Sequence, residues 1–150
     1  MRTRYGLPVL PSAESLQDRL GYLLKHAQMA LTTHTTAALE AFGINGRELA
    51  VLTVLGSGPA PAQQQAAGQL GVDRTTMVDL VDALEDKGLV ERRSDPGDRR
   101  RNLVHLTDKG RKALDEGERA YREAERRFLG GLSDDEARQL RSLLRRVLGD

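Results

Sequence analysis

The chain has 150 residues, 39% hydrophobic and 30% charged, which suits a single folded domain with a buried core and excludes a disordered polymer. Its formal net charge is only +1, so an anionic partner must be drawn by a local patch and not by the overall field. The absence of Cys excludes disulfides, thiolate metal sites and thiol redox sensing, and with no Trp, two Phe and three Tyr there are few platforms for stacking single-stranded nucleic acid.

In chain order, the opening "MRTRYGLPVLPSAES" is broken by Pro8 and Pro11 before the apolar run of a signal peptide can develop. No stretch approaches a membrane span, and a cytoplasmic protein is expected. Ser12 reads as an N-cap, with Glu14 in the first turn. Leu16, Leu20, Leu23, Ala27, Ala30, His34, Ala37 and Ala41 then alternate four and three apart. That seam spacing predicts one long helix over 12–42 with a partner along its length. Leu24, Leu31, Ala38 and Phe42 form a second stripe, so the helix should bury one side in its own chain and the other against a second copy. Gly43 ends it, and "GRELAVLTVLGSGPAP" reads as a short apolar helix closed by glycines and prolines.

The next segment, "PAQQQAAGQLGVDRTTMVDLVDALEDKG", predicts a helix, a Gly71-Val72 turn, an Asp73 N-cap and a second helix stopped by Gly88. Met77, Leu80, Val81 and Leu84 mark its core face; Thr75, Val78, Asp79 and Asp82 lie opposite, with Arg74 in the first turn. Two helices joined by a short glycine-containing turn form a helix-turn-helix, whose second helix can enter a major groove. The hydrophobic period then changes to 2 in "LVERRS" and "NLVHLT", flanking "DPGDRRR", which predicts a β-hairpin with an arginine-laden tip. A hairpin in that place is a wing. Arg99, Arg100 and Arg101 are candidates for a minor groove or its phosphates. Asp95 and Asp98, with Pro96 and Gly97, would shape the tip by accepting hydrogen bonds from a nearby arginine or a loop amide. Of Arg92 and Arg93, one should reach phosphate while the other pairs with an acid such as Asp82 or Glu91. Gln63, Gln64 and Gln65 read equally well as phosphate contacts or as an exposed polar face.

Thr107 caps a further helix with apolar positions Ala113, Leu114, Gly117, Ala120, Tyr121, Ala124 and Phe128. Ser133 and Glu136 form a capping box for the last, whose buried face should be Ala137, Leu140, Leu143, Leu144, Val147 and Leu148. The fold class is mainly α with a small β-hairpin: a winged helix-turn-helix with a helical dimerisation region built from the terminal helices.

The stretch "VDRTTMVDLVDALEDKGLVERRSDPGDRRRNLVHLTDKGR" resembles the MarR family of bacterial transcription regulators, and the flanking helices fit in order and length. The resemblance implies a single domain over 1–150, with dimerisation helices at 12–42 and 107–148 and a winged DNA-binding lobe at 46–106. It implies a homodimer on a pseudo-palindromic double-stranded operator, usually repressing nearby genes, often released by a small aromatic or anionic effector. By position, Arg100 resembles the family's minor-groove arginine, and Arg74, Thr75, Thr76 and Asp79 occupy the exposed start of its recognition helix. Two features depart from the pattern. Asp79 stands where many relatives carry a basic or neutral residue, and could accept from cytosine N4 while repelling phosphate. Ala66 and Gly68 make the first helix of the motif less apolar, which predicts looser packing there.

Tyr22, His26, Phe42, Leu49 and Tyr121 are the candidates for an effector pocket between the dimer helices and the winged lobe. His26 and His34 are eight residues apart, a poor spacing for one shared ion, and no metal site or cofactor is expected. His34 reads more readily as an interface histidine than as a proton sensor, and His105 as structural. No Ser-His-acid set is visible, and "GSGPAP" lacks the ending of a phosphate loop, so an enzyme is not expected. The alternative to a DNA-binding regulator is a winged-helix module used for protein contacts or ligand sensing.

Overall fold

The computed structural model describes residues 16–150. Ser12, Pro8, Pro11 and Glu14, singled out above, lie outside them. The elements are α1 (Leu20–Glu40), α2 (Gly46–Gly56), α3 (Gln63–Leu70), α4 (Arg74–Asp86), β1 (Val90–Ser94), β2 (Asn102–Leu106), α5 (Asp108–Phe128) and α6 (Asp134–Leu148).

Local chemistry sets most of the boundaries. Asp73, Thr107 and Ser133 each accept a hydrogen bond from a backbone N–H three residues on, satisfying donors that a helix start leaves unpaired. Ser133 and Glu136 close the expected capping box, and Asn45 with Glu48 closes another that the sequence reading passed over. Gly43, Gly71 and Gly88 take φ near +65 to +71°, where a side chain would be strained.

β1 and β2 pair antiparallel from Val90↔Leu106 to Ser94↔Asn102, and Ala62 adds a bridge to Leu103 that ties the hairpin to the entry of α3. The core lies beneath the helix-turn-helix, where Leu39, Leu52, Met77, Leu84, Val51, Val81 and Val104 are fully buried. Each such side chain contributes about 1.5–3 kcal/mol relative to exposure. α1 lies along α5, and α2 joins that pair to α4. The start of α5 comes so close to the start of β1 that a Cβ at Gly110 would fall 1.8 Å from the Leu89 carbonyl oxygen.

Two expectations need correction. The predicted helix over 12–42 is not continuous: Arg19 is extended at φ −68°, ψ 129°, and α1 begins only at Leu20. Residues 16–20 are exposed and Gly21 follows, so neither packing nor propensity holds a helix across this point. The first motif helix is not loosely packed, because Ala66 is 0% exposed and its small side chain lets α3 approach the core closely. The apolar face of α6, expected in the dimerisation region, stays exposed among the described residues: no α6 residue is buried, and Val147 and Leu148 are three-quarters exposed. The α1 seam is likewise exposed, with Leu39 and Thr35 turned inward instead.

Candidate nucleic-acid interface and adjoining cleft

α4 presents its first turn outward because its other face is anchored by Met77, Val81 and Leu84. Asp73 Oδ1 accepts the Thr76 N–H at 2.7 Å, and these hydrogen bonds hold the Asp73 carboxyl below its usual value of 3.8. Arg74, Thr75 and Asp79 are exposed along the turn and Thr76 is half-buried.

The wing closes on itself. Asp95 Oδ1 accepts from Gly97 N at 2.9 Å, Asp98 Oδ1 accepts from Arg100 N at 3.0 Å, and Asp95 N donates to the Arg101 carbonyl at 2.9 Å. Arg101 Nε stands 4.0 Å from Asp95 Oδ2. Pro96 and Gly97 form the exposed turn between the two acids. The acids are thus mainly occupied with loop amides. Among the described residues, Arg74, Arg99 and Arg100 form no salt bridge, and all three are exposed.

Arg92 and Arg93 sit differently. The Arg92 guanidinium donates to Glu85 and Asp82 on α4 and, through Nε at 3.2 Å, to Gln63 at the start of α3. Arg93 pairs with Glu91. Both arginines therefore meet acids, where the sequence reading divided them between acid and phosphate. The reason is tertiary: the turn into β1 brings Asp82 and Glu85 back alongside Arg92. Gln63 is taken up by Arg92 and Gln65 by Ala62 N, leaving Gln64 exposed. Between α3, the first turn of α4 and the wing lies a groove of about 900 Å³, with Gln64, Arg74, Arg100, Arg101 and Asn102 on its walls.

A second cleft, about 990 Å³, opens between α1, α2 and α5. Leu49 and Tyr121 line it, as the sequence suggested. Tyr22, His26 and Phe42 do not: the first two stack on each other at 4.1 Å along α1, and Phe42 packs on the core. The residues passed over are Gln28, Thr32, Thr36, Thr53, Arg47 and Arg122. The run "TTHTT" was the available sign, since clustered hydroxyls on a core-facing helix need partners. Burial, with the Glu125 carboxylate adding to it, pushes the Tyr121 phenol above its ordinary value, so it stays a neutral O–H at physiological pH. Among the described residues no cluster suits a metal ion, and no helix is long and apolar enough to cross a membrane. His34 lies 6.4 Å from the Phe128 ring.

A family model described as MarR family matches residues 42–101. The putative transcriptional regulatory protein for the hcr operon of Thauera aromatica is 35% identical over 138 residues, spanning 89% of this chain and 81% of the relative. The fold is similar to that of the transcriptional repressor CouR bound to a 23-mer DNA duplex, with 32% identity, a TM-score of 0.85 and coverage of 94% of this chain and 99% of that one. CouR from Rhodococcus jostii RHA1 bound to p-coumaroyl-CoA matches with 31% identity and a TM-score of 0.77, covering 90% and 95%.

Proposed function

The chain belongs to the MarR family of transcriptional regulators, and from that premise we propose that it is a homodimeric repressor of double-stranded DNA released by a small-molecule effector. The observation that carries this reading is the division of its arginines. Arg92 and Arg93 are neutralised by acids of their own lobe, whereas Arg74 and Arg100 stand uncompensated on the walls of one groove, with Arg99 exposed and unpaired at the wing tip. In a chain of net charge +1, exposed arginines without an acid partner on both the first turn of the reading helix and the wing tip make a local cationic surface suited to phosphate.

In this reading residues 46–106 form the DNA-binding lobe. Arg74, with Thr75, Thr76 and Asp79 beside it, faces base edges in a major groove, and Asp79 accepts from cytosine N4. Arg100, flanked by Arg99 and Arg101, reaches the adjacent minor groove. Arg92 acts indirectly, by fastening wing and α3 to the reading helix. A second copy covers the exposed Leu20, Leu23, Leu24 and Met29 of α1 and Leu140, Leu143, Leu144, Val147 and Leu148 of α6. That contact sets the gap between two reading helices, which must match ~34 Å for successive major-groove faces.

The cleft takes the effector. Leu49, Val54 and Leu70 offer an apolar floor, Thr32, Thr36 and Tyr121 offer hydroxyls, and Arg47 brings a cation, while Arg122 is paired with the Glu118 carboxylate at 3.6 Å on the same wall. An aromatic acid or its coenzyme A thioester matches that lining, and CouR's complex with p-coumaroyl-CoA supports the thioester. Such a ligand releases DNA if it binds the mismatched spacing of the reading helices better than the matched one.

The test is an anisotropy titration on the duplex upstream of the protein's own gene, between about 50 and 200 mM salt, followed by addition of p-coumaroyl-CoA. Affinity should fall linearly with salt on a log–log plot, and the thioester should release the duplex. Equal, salt-independent affinity for this duplex and a scrambled one would sink the DNA-binding reading and favour a protein-contact module.

A further inference from the structure

One ion pair joins the wall of the cleft to the far end of the reading helix. Glu48 lies in the first turn of α2, its side chain 5% exposed. Both its oxygens lie 2.8 Å from Lys87 Nζ, and Oε2 also accepts the Asn45 N–H at 3.1 Å. The same ammonium donates to the Gly43 carbonyl at 2.8 Å, just ahead of α2. Lys87 is the C-cap residue of α4, and its own carbonyl accepts from Lys109 on α5 at 2.8 Å.

The turn that carries Glu48 has two faces. Asn45, Gly46, Leu49 and Ala50 line the cleft, while Glu48 projects away from it toward the end of α4. On the α5 side the turn has no slack. A Cβ at Gly117 would lie 3.0 Å from Ile44 Cδ1 and 3.1 Å from Leu49 Cδ1, so these side chains already rest on bare backbone. An occupant that widens the cleft must therefore move the turn away from α1 and α5, and Glu48 moves with it. Parting a buried carboxylate from its only cation is strongly disfavoured, so Lys87 follows. α4 has 13 residues and is about 20 Å long, so a displacement at its C-cap re-aims Arg74 at the opposite end.

We propose that Glu48 and Lys87 are the positioning pair that converts occupancy of the cleft into reorientation of the reading helix. This deepens, and rests on, the assignment of the cleft as the effector site, and it gives the route of regulation. Neither side chain touches DNA or ligand; both act through α4.

The test uses the full chain and a duplex that the protein selects from a random-sequence library. Ala50→Phe places a ring in the cleft and stands in for a ligand of any identity. In the otherwise wild-type protein it should weaken binding of the duplex about tenfold, within the usual range of allosteric coupling. In Glu48→Gln or Lys87→Met backgrounds the penalty should shrink to about twofold or less, and Lys87→Arg should restore it. Glu48→Gln keeps an oxygen for Asn45 N, Lys87→Met keeps the aliphatic stem, and thermal melts confirm that each variant folds. A penalty of equal size in every background, or none in the wild type, overturns the proposal. Calorimetry with p-coumaroyl-CoA and with p-coumaric acid on the wild type separates the two readings. No binding of either counts against the ligand assignment while the mutant cycle still reports the coupling; binding together with an additive cycle removes the coupling alone.

Discussion

Arg92 and Arg100 bear the same guanidinium, eight residues apart on one hairpin, and the fold gives them opposite surroundings. Arg100 has its backbone fixed by Asp98 and its side chain exposed. Arg100→Ala should weaken duplex binding and lower the salt slope by about one phosphate-equivalent, read from anisotropy at several salt concentrations. Arg92 is bound to Asp82, Glu85 and Gln63. Arg92→Ala should instead destabilise the fold by about 1 kcal/mol, a modest figure because Asp82 and Glu85 are partly exposed and water screens the pair. Urea unfolding reads that loss, and a salt slope unchanged from wild type distinguishes it from a phosphate contact. The sequence made the arginine cluster plain but not which members are neutralised. Charge is a local property; pairing depends on where the chain returns. Glu48 was missed for the same reason, since Lys87 is 39 residues away, although Asn45-x-x-Glu48 was readable as a capping box.

The helix starts were legible because their chemistry is complete within four residues. Asp73, Thr107 and Ser133 were named as caps from sequence, and each accepts its backbone N–H. Hydrogen bonds to Thr76 lower the Asp73 pKa, and those to Ser133 lower that of Glu136. The sign follows from linkage: a carboxylate whose folded pKa lies below its unfolded value contributes stability in full above the unfolded value, and loses it as pH falls through the folded one. Acid should therefore loosen the starts of α4 and α6 as pH drops below the ordinary values of 3.8 and 4.5. Asp73→Ala should be less stable than wild type at neutral pH, and the difference should narrow in acid when thermal melts are compared between pH 7 and about 3. Two features that depend on packing were not legible, although the core face Met77, Val81 and Leu84 was. Seam spacing predicts a continuous first helix, but residues 16–20 are exposed, so burial does not enforce it. Ala66 and Gly68 make the first motif helix less apolar and predict looser packing, yet Ala66 is among the most buried residues because close approach favours small side chains.

Two helices at the ends of the described chain carry apolar faces that the described residues leave exposed. Leu20, Leu23, Leu24 and Met29 lie on α1, and Leu140, Leu143, Leu144, Val147 and Leu148 on α6. Both faces are readable as amphipathic stripes, and the two stripes on one helix together with the family resemblance point to a second copy as their occupant. Leu144→Glu should place a carboxylate on the α6 face, and sedimentation equilibrium should then report a monomer where the wild type sediments as a dimer. Since two reading helices on one operator bind as a linked pair, that monomer should lose at least about 100-fold in operator affinity. A dimeric Leu144→Glu protein would place the subunit contact elsewhere.

Asp95 and Asp98 close the wing's hydrogen bonds before any duplex is present. On the proposed reading, a finger so held has little left to order when it meets DNA, and its encounter should be governed by diffusion and ionic strength, without a slow annealing phase after first touch. The same two carboxylates trim the attraction that would hold the protein on arbitrary sequence, which shortens each futile stop during the search for an operator.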